Sequence, residues 1–104
     1  MKLTNKLKKL FIPPYVTKIC EGAFSFCFKH QRIDIPSNSE IQTIEKEVFK
    51  ISKISSIFIP PYVIKIFKDA FDGCYELQQI DIPSNSRLQT IEDSALCHKN
   101  INLN

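Results

Sequence analysis

The sequence predicts a repeat solenoid, α/β in class but mostly β, whose coils stack through a parallel sheet. Three observations lead to this fold. A unit of 47 residues occurs twice, an Ile-Pro pair occurs four times, and a short alternating apolar segment precedes each pair. Residues 11–49 align with residues 58–96 at 23 identical positions out of 39. A fixed period of this kind indicates supersecondary units that bury an apolar core only by stacking on one another.

Each unit divides into two coils, so four coils describe the chain better than two domains. Successive Ile-Pro pairs are 23, 24 and 23 residues apart. We expect one repeat domain over residues 1–104, with a partial coil at the N-terminus. The predicted boundaries are 1–11 for the partial coil and 12–34, 35–58, 59–81 and 82–104 for the four coils.

A short strand is predicted in front of every Ile-Pro pair. The shared frame is LxxIxIP, in which apolar residues flank an outward residue, as in Ile33-Asp34-Ile35. This period of two is typical of a strand with one buried face. The proline ends the strand because it cannot donate to the sheet ladder. Together the coils predict a parallel concave sheet of four to five short strands, the fifth starting at Ile101.

The corner after each strand has two lengths. In FIPPYV, at residues 11–16 and 58–63, the next apolar residue follows the isoleucine by four positions. In IPSNSEI and IPSNSRL it follows by six. We interpret FIPPYV as the tight form of the corner, stiffened by its prolines, and not as a ligand peptide. The PPxY motif read by WW domains needs a residue between proline and tyrosine, whereas Pro14 abuts Tyr15.

Two further apolar pairs complete each coil. After the corner comes a pair such as Val16 and Ile19, and then a small residue beside a large one, such as Ala23 and Phe24. Segments such as EKEVF and FKDAF have room for one helical or 3₁₀ turn. We therefore expect short helical or 3₁₀ turns on the convex side, with like residues stacked over like.

The repeated motifs resemble the BspA-like leucine-rich repeats. LxxIxIP, VxxI and AFxxC recur over residues 7–104 at a step of about 23 residues. The resemblance implies a leucine-rich-repeat solenoid with its parallel sheet on the concave side. It also implies a role in protein binding or adhesion, because such repeats occur in surface proteins of bacteria and mucosal protozoan parasites. His30 departs from the motif by occupying a leucine position.

Composition and charge narrow the function classes. The net charge of +3 on 104 residues is too small to favour nucleic acid as a partner. The sequence shows no signal peptide and no apolar run near the roughly 18–20 residues of a membrane span. We expect a cytoplasmic protein by default, and the resemblance adds the cell surface as the alternative.

Catalysis, metal binding and cofactor binding are not expected. The chain has two glycines, too few for a glycine-rich phosphate loop, and two histidines that form no repeated pattern with aspartate. A zinc site could be imagined from Cys27 with His30 and Cys97 with His98, and the first pair has zinc-like spacing. However, the two pairs fall about three coils apart, so they do not meet.

The cysteines are expected to be thiols and not disulfides. Cys27 and Cys74 share a position in the repeat but lie two coils apart, which strand spacing converts to roughly 10 Å. Bridged cysteines have α-carbons within about 7 Å of each other. We expect Cys27 and Cys74 to be small core residues and Cys20 to be exposed.

The outward positions of the predicted strands give the candidate binding surface. They are Lys9, Phe11, Arg32, Asp34, Ser56, Phe58, Gln79 and Asp81. One column alternates Phe, Asp, Phe, Asp, and aromatic side chains among charges suit protein recognition. The structural alternative is that Phe11 and Phe58 fold down over neighbouring coils or over Tyr15 and Tyr62.

The expected function is a non-catalytic protein-interaction module that binds a protein partner through the concave sheet face and the exposed coil ends. One alternative is a self-assembling structural element that forms homo-oligomers through its uncapped ends, since open edge strands invite pairing. The other alternative is a fragment or short relative of a surface adhesin.

Overall fold

The computed structural model describes residues 9–27, 32–96 and 101–104, and for Lys9 the backbone alone. Within these ranges all regular structure is β, and no helix is present. Eight short strands follow one another in chain order, namely β1 (Lys9–Phe11), β2 (Arg32–Asp34), β3 (Thr43–Ile44), β4 (Ser56–Phe58), β5 (Lys65–Ile66), β6 (Gln79–Asp81), β7 (Thr90–Ile91) and β8 (Asn102–Leu103). Every strand pair in the described residues is parallel.

The strands predicted before each Ile-Pro pair are present as β1, β2, β4 and β6, and β8 follows them. β1 pairs with β2, while β4, β6 and β8 form a three-stranded sheet. Ile57 lies opposite Ile80, and Ile80 opposite Leu103. The last pairing shows that the fifth repeat frame begins one residue earlier than a start at Ile101 predicts.

The predicted concave sheet is interrupted between β2 and β4. These strands lie side by side but belong to different sheets. The step between strand centres here, from Ile33 to Ile57, is 24 residues, whereas paired strands are 23 residues apart. The step length alone does not explain the break, because the return strands pair although Ile44 and Ile66 are 22 residues apart and Ile66 and Ile91 are 25 residues apart.

The return segments form a second parallel sheet that the sequence analysis did not predict. β3, β5 and β7 pair in that order, with Ile44, Ile66 and Ile91 in one row. Each strand has only two residues, of which one is apolar. So short a segment shows no period-two alternation, which is why the sequence predicted an apolar return and no strand.

The predicted helical or 3₁₀ turns are wrong for the described residues, where the chain forms a series of tight turns instead. Two positions in the turn region adopt a positive φ. Relative to the small-and-large pair of each coil, such as Ala23 and Phe24, one position lies directly before the small residue and the other lies two places after the large residue. The residues with positive φ are Gly22, Phe26, Glu47, Ile51, Asp69, Gly73 and Ser94. A left-handed residue every four positions prevents a right-handed helix from propagating.

Backbone amides in these turns alternate between two kinds of partner. The amide of Ala23 donates to Cys20 O within its own coil at 3.0 Å, and that of Phe24 donates to Val48 O of the next coil at 2.9 Å. The same alternation recurs at Ala70 and Phe71. The turns therefore serve as a third set of bonds between successive coils, beside the two strand regions.

The core lies between these bonded edges and is built by stacking like residues, as predicted. Phe24, Phe49 and Phe71 form a column with ring centroids 5.8 and 5.4 Å apart and rings within 11° of parallel. Phe49 and Phe71 are completely buried, while Phe24 is half-buried. Isoleucines of the strands and returns make up most of the remaining core, together with smaller residues such as Val48, Val63 and Ala70.

Candidate protein-binding site

The strands place the predicted site residues on one face of the β1, β2, β4 and β6 strands. The central residues Ile33, Ile57 and Ile80 are buried, so their neighbours in each strand point to the opposite face. The register pairs them in four couples across the strands, namely Lys9 with Arg32, Phe11 with Asp34, Ser56 with Gln79 and Phe58 with Asp81. The side chain of Lys9 lies outside what the structure describes.

The interruption between β2 and β4 turns part of this face into a cleft of about 610 Å³. Six of the eight predicted residues line this strand-face cleft, namely Phe11, Arg32, Asp34, Ser56, Phe58 and Asp81. Its floor includes Ile33 and Ile57 from the two strand centres. The structure therefore brings most of the predicted surface together around one depression, and Gln79 lies beside Asp81 at its edge.

The two phenylalanines differ in exposure. Phe11 is 57% exposed, so the folded-down alternative does not describe it. Phe58 is half-buried, and one part of its ring remains accessible in the cleft. The cleft thus offers one mostly exposed ring and one half-buried ring on neighbouring sheets.

Polar side chains of the cleft are oriented by neighbours on the same strand. Arg32 Nε donates to Asp34 Oδ1 at 2.8 Å, with side-chain exposures of 68% and 24%. Gln79 Nε2 donates in the same way to Asp81 Oδ1. An exposed ion pair of this type contributes less than about 1 kcal/mol to stability, so its main effect is to fix the direction of both groups.

The three cysteines in the described part of the chain, Cys20, Cys27 and Cys74, are free thiols. Cys20 is exposed and Cys74 is buried, whereas Cys27 is half-buried and is not the core residue that was expected. The Cys74 thiol donates to Phe49 O at 2.8 Å and lies 3.4 Å from the Ser52 hydroxyl. Burial raises the pKa of the thiols of Cys27 and Cys74, and hydrogen bonding to Ser52 opposes the increase at Cys74.

Of the residues considered for a metal site, only Cys27 lies in the described part of the chain; His30, Cys97 and His98 lie outside it. Over residues 9–27, 32–96 and 101–104, no group of three or more potential ligands is close enough to hold a metal ion. In the same ranges no helix is long and apolar enough to cross a bilayer.

Sequence reasoning missed a second cleft, at the corners, with a volume of about 650 Å³. It lies where the tight corner of Pro61 and Tyr62 is flanked by two long corners. The signal for it is the alternation of corner lengths, since long corners on either side of a short one leave a gap. This cleft contains none of the eight predicted site residues.

Comparison with known families agrees with this repeat geometry. A family model described as BspA type leucine rich repeat region (6 copies) matches residues 2–103. Comparisons with curated proteins and with solved structures gave no match. Because the family match spans nearly all of the 104 residues, and parallel strands recur in step with the repeated motif, the chain belongs to the BspA-type leucine-rich-repeat family.

Proposed function

We propose that this protein is a non-catalytic module that binds a protein partner through the strand-face cleft and the strand surface around it. Leucine-rich repeats of this family are commonly protein-interaction modules. One observation supports this particular surface. The side chain of Phe11 is 57% exposed and lies at the rim of a cleft on the predicted concave face.

The chemistry of the cleft supports this function. Interface hot spots are enriched in aromatic residues and arginine, and they cluster in pockets from which water is excluded. Phe11 and Phe58 supply apolar anchors, and the oriented Arg32 and Asp34 supply charges that set register and selectivity. We expect the partner to insert an apolar side chain between the rings and to pair its own charges at the rim.

Substitution of the two rings tests the proposal. The variant Phe11→Ser/Phe58→Ser removes both anchors, and the single variant Phe11→Ser removes only the exposed one, with little risk to folding. Tyr15→Ser/Tyr75→Ser is the matched control, because these rings are 75% and 82% exposed and lie outside the cleft. Each tagged protein is used to capture partners from native cells, with recovery measured by quantitative mass spectrometry.

We expect the wild type and the tyrosine control to recover the same partner. Recovery should fall at least tenfold with the double phenylalanine variant, since each anchor contributes on the order of 1–2 kcal/mol. Phe11→Ser alone should give an intermediate loss. If both phenylalanine variants are folded according to circular dichroism and recover as much partner as the wild type does, the proposal is refuted.

A second candidate, self-association through an end of the coil stack, is favoured by one observation. An apolar cleft of about 330 Å³ at the first coil is lined mainly by aliphatic and aromatic side chains, among them Leu10, Ile12, Val16, Ile19 and Phe24. Phe24 stacks on Phe49 on one side and is only half-buried. Light scattering over a wide concentration range should then show a mass that rises with concentration, whereas a constant monomer mass rules out this candidate.

A further inference from the structure

All four corners share one turn, and only the long corners add to it. Each corner begins with the proline of the Ile-Pro pair. Counted with this proline as the first residue, the fourth residue donates its amide hydrogen to the proline carbonyl at 3.0 to 3.2 Å. In the tight corners that fourth residue is Val16 or Val63, which turns inward. In the long corners it is a serine, and a charged residue stands between this serine and the next apolar residue: Glu40 in one corner, Arg87 in the other.

The alternation produces the corner cleft. The long corners of the second and fourth coils stand on either side of the tight corner of the third. The cleft of about 650 Å³ is lined by Thr17, Ser37, Asn38, Glu40, Gln42, Pro61, Tyr62, Asn85 and Arg87. Its volume falls within the roughly 300–1,000 Å³ of typical ligand sites.

The two charged residues of the corner cleft are fixed by their backbones. The amide of Arg87 donates to Pro61 O at 3.0 Å, and its guanidinium lies over the Tyr62 ring, 4.6 Å from the centroid. The amide of Glu40 donates to Pro14 O at 3.2 Å. A stacked guanidinium keeps its edge and donors available for a carboxylate.

The cleft therefore has an acidic wall and a basic wall. Glu40 and Arg87 occupy equivalent positions two coils apart, so strand spacing separates their backbones by about 10 Å. Neither side chain takes part in any of the ion pairs among the described residues. The side-chain amides of Asn38, Gln42 and Asn85 also line the cleft and can bond to peptide groups.

We propose that the corner cleft binds an extended peptide segment that carries a basic and an acidic side chain two residues apart. In an extended chain these side chains lie on one face about 7 Å apart, and their own length covers the remaining separation. The basic side chain would meet Glu40 and the acidic one Arg87. This site shares no residue with the strand-face cleft and does not depend on the function proposed there.

A neutral oligosaccharide fits the same cleft less well. It would leave both charges without a partner, and the ring face of Tyr62 that sugars would use is covered on one side by Arg87. Each ion pair at a solvent-exposed rim is worth about 0.2–1 kcal/mol, so each should change affinity by about 1.4- to 5-fold. The experiment must therefore detect weak binding.

Chemical-shift titration of the ¹⁵N-labelled protein suits this range. The probes are the capped peptides SKTES, SKTKS, SETES and the neutral SQTQS, with maltopentaose as a neutral sugar. For the wild type we expect shifts in residues 37–42, 61–64 and 85–89, with the lowest Kd for SKTES. The same shifts should persist in the Phe11→Ser variant, which separates this site from the strand-face cleft.

Charge-reversal variants then test whether Glu40 binds the basic side chain of the peptide and Arg87 the acidic one. Arg87→Glu makes both walls acidic and should make SKTKS the best ligand, while Glu40→Arg makes both walls basic and should favour SETES. The double variant Glu40→Arg/Arg87→Glu keeps the net charge and exchanges the two walls. SKTES, the one peptide of the four with a charge of each sign, should again bind best, now with its basic side chain at position 87. The controls Lys53→Glu and Glu76→Arg carry the same changes in net charge at exposed positions outside the cleft and should leave the preference unaltered.

Several results would overturn the proposal. They are an absence of shifts at the corner cleft with every charged peptide, equal Kd values for SKTES and SQTQS, and a preference that the charge reversals do not change. Shifts at these residues with maltopentaose but not with SKTES would reassign the cleft to a sugar.

Discussion

Left-handed backbone positions decide which residues the turns accept. Two recur in each of the first three coils and one is described in the fourth, and the chain's two glycines, Gly22 and Gly73, occupy one of each kind. Elsewhere the same conformation is taken by bulkier residues, including the β-branched Ile51 at φ 52°. No periodic signal in the sequence reveals these positions, because charged, polar and apolar residues share them; this is why helical turns were predicted here.

The two glycines should differ in how much stability a methyl group removes. A Cβ on Gly73 would lie 2.7 Å from Ile51 Cγ1, whereas one on Gly22 would lie 3.3 Å from the hydroxyl of Ser25. Both changes also force alanine into the left-handed region, at about 1–2 kcal/mol. We expect Gly73→Ala to lower the free energy of unfolding by about 2–4 kcal/mol and Gly22→Ala by about 1–2 kcal/mol.

Urea denaturation of the two variants measures this difference. The converse substitution Ser94→Gly, at an exposed residue with φ 64°, should raise the free energy of unfolding by about 0.5–1 kcal/mol. Equal losses for Gly73→Ala and Gly22→Ala would show that contact with Ile51 does not matter.

Thiol environments predict an order of alkylation. Cys20 is exposed, Cys27 is half-buried and Cys74 is buried with its thiol hydrogen-bonded to Phe49 O. Because burial raises the pKa of the Cys27 and Cys74 thiols, both contain less thiolate at pH 8 than an ordinary cysteine. Among these three cysteines, iodoacetamide followed by peptide mass spectrometry should label Cys20 first, then Cys27, and Cys74 last. Labelling of Cys74 as fast as Cys20 would contradict the burial.

At the scale of the element, the sequence predicted the strands whose apolar residues alternate with a clear period. The Ile-x-Ile-Pro segments gave the positions and the parallel pairing of the main strands, because alternation and a terminal proline are strong local signals. The two-residue return strands escaped because they are too short to alternate. The interruption between β2 and β4 escaped because it depends on how Ile33 and Ile57 meet in space.

The phenylalanine column is the element whose loss should cost the most. Phe49 is completely buried between two stacked rings, whereas Phe24 is half-buried and, among the described residues, stacks on one ring. Phe49→Ala should lower the free energy of unfolding by about 3–5 kcal/mol through lost burial and a cavity. For Phe24→Ala we expect about half that loss, since less surface is removed from contact.

Chemical denaturation curves, fitted with the same folded and unfolded baselines, give the free energy of unfolding of the two variants. Phe24→Leu serves as a control, because the fourth coil has Leu96 at the same position, and it should cost less than about 1.5 kcal/mol. A Phe24→Ala loss equal to that of Phe49→Ala would mean that the column is buried as deeply at its start as at its centre.

At the scale of the whole molecule, repetition places single residues into rows. Phe11, Asp34, Phe58 and Asp81 were predicted to share a face from period and frame alone, and the structure places them around one cleft. The depth of that cleft and the ion pair of Arg32 with Asp34 could not be predicted, because they depend on side-chain conformation and on the interrupted ladder. The corner cleft is likewise a product of stacking, although its cause, the alternating corner length, was visible.

Site-specific photo-crosslinking tests the central proposal most directly, because it locates a partner without removing an anchor. Benzoylphenylalanine is introduced in place of Phe11, at the strand-face cleft, or of Tyr75, an exposed ring outside it. Both exchanges replace one aromatic side chain by another, so they form a matched pair. We predict that irradiation of the protein with its captured partner gives an adduct from position 11 and none from position 75. An adduct from position 75 alone, or equal adducts from both, would contradict binding through the strand-face cleft.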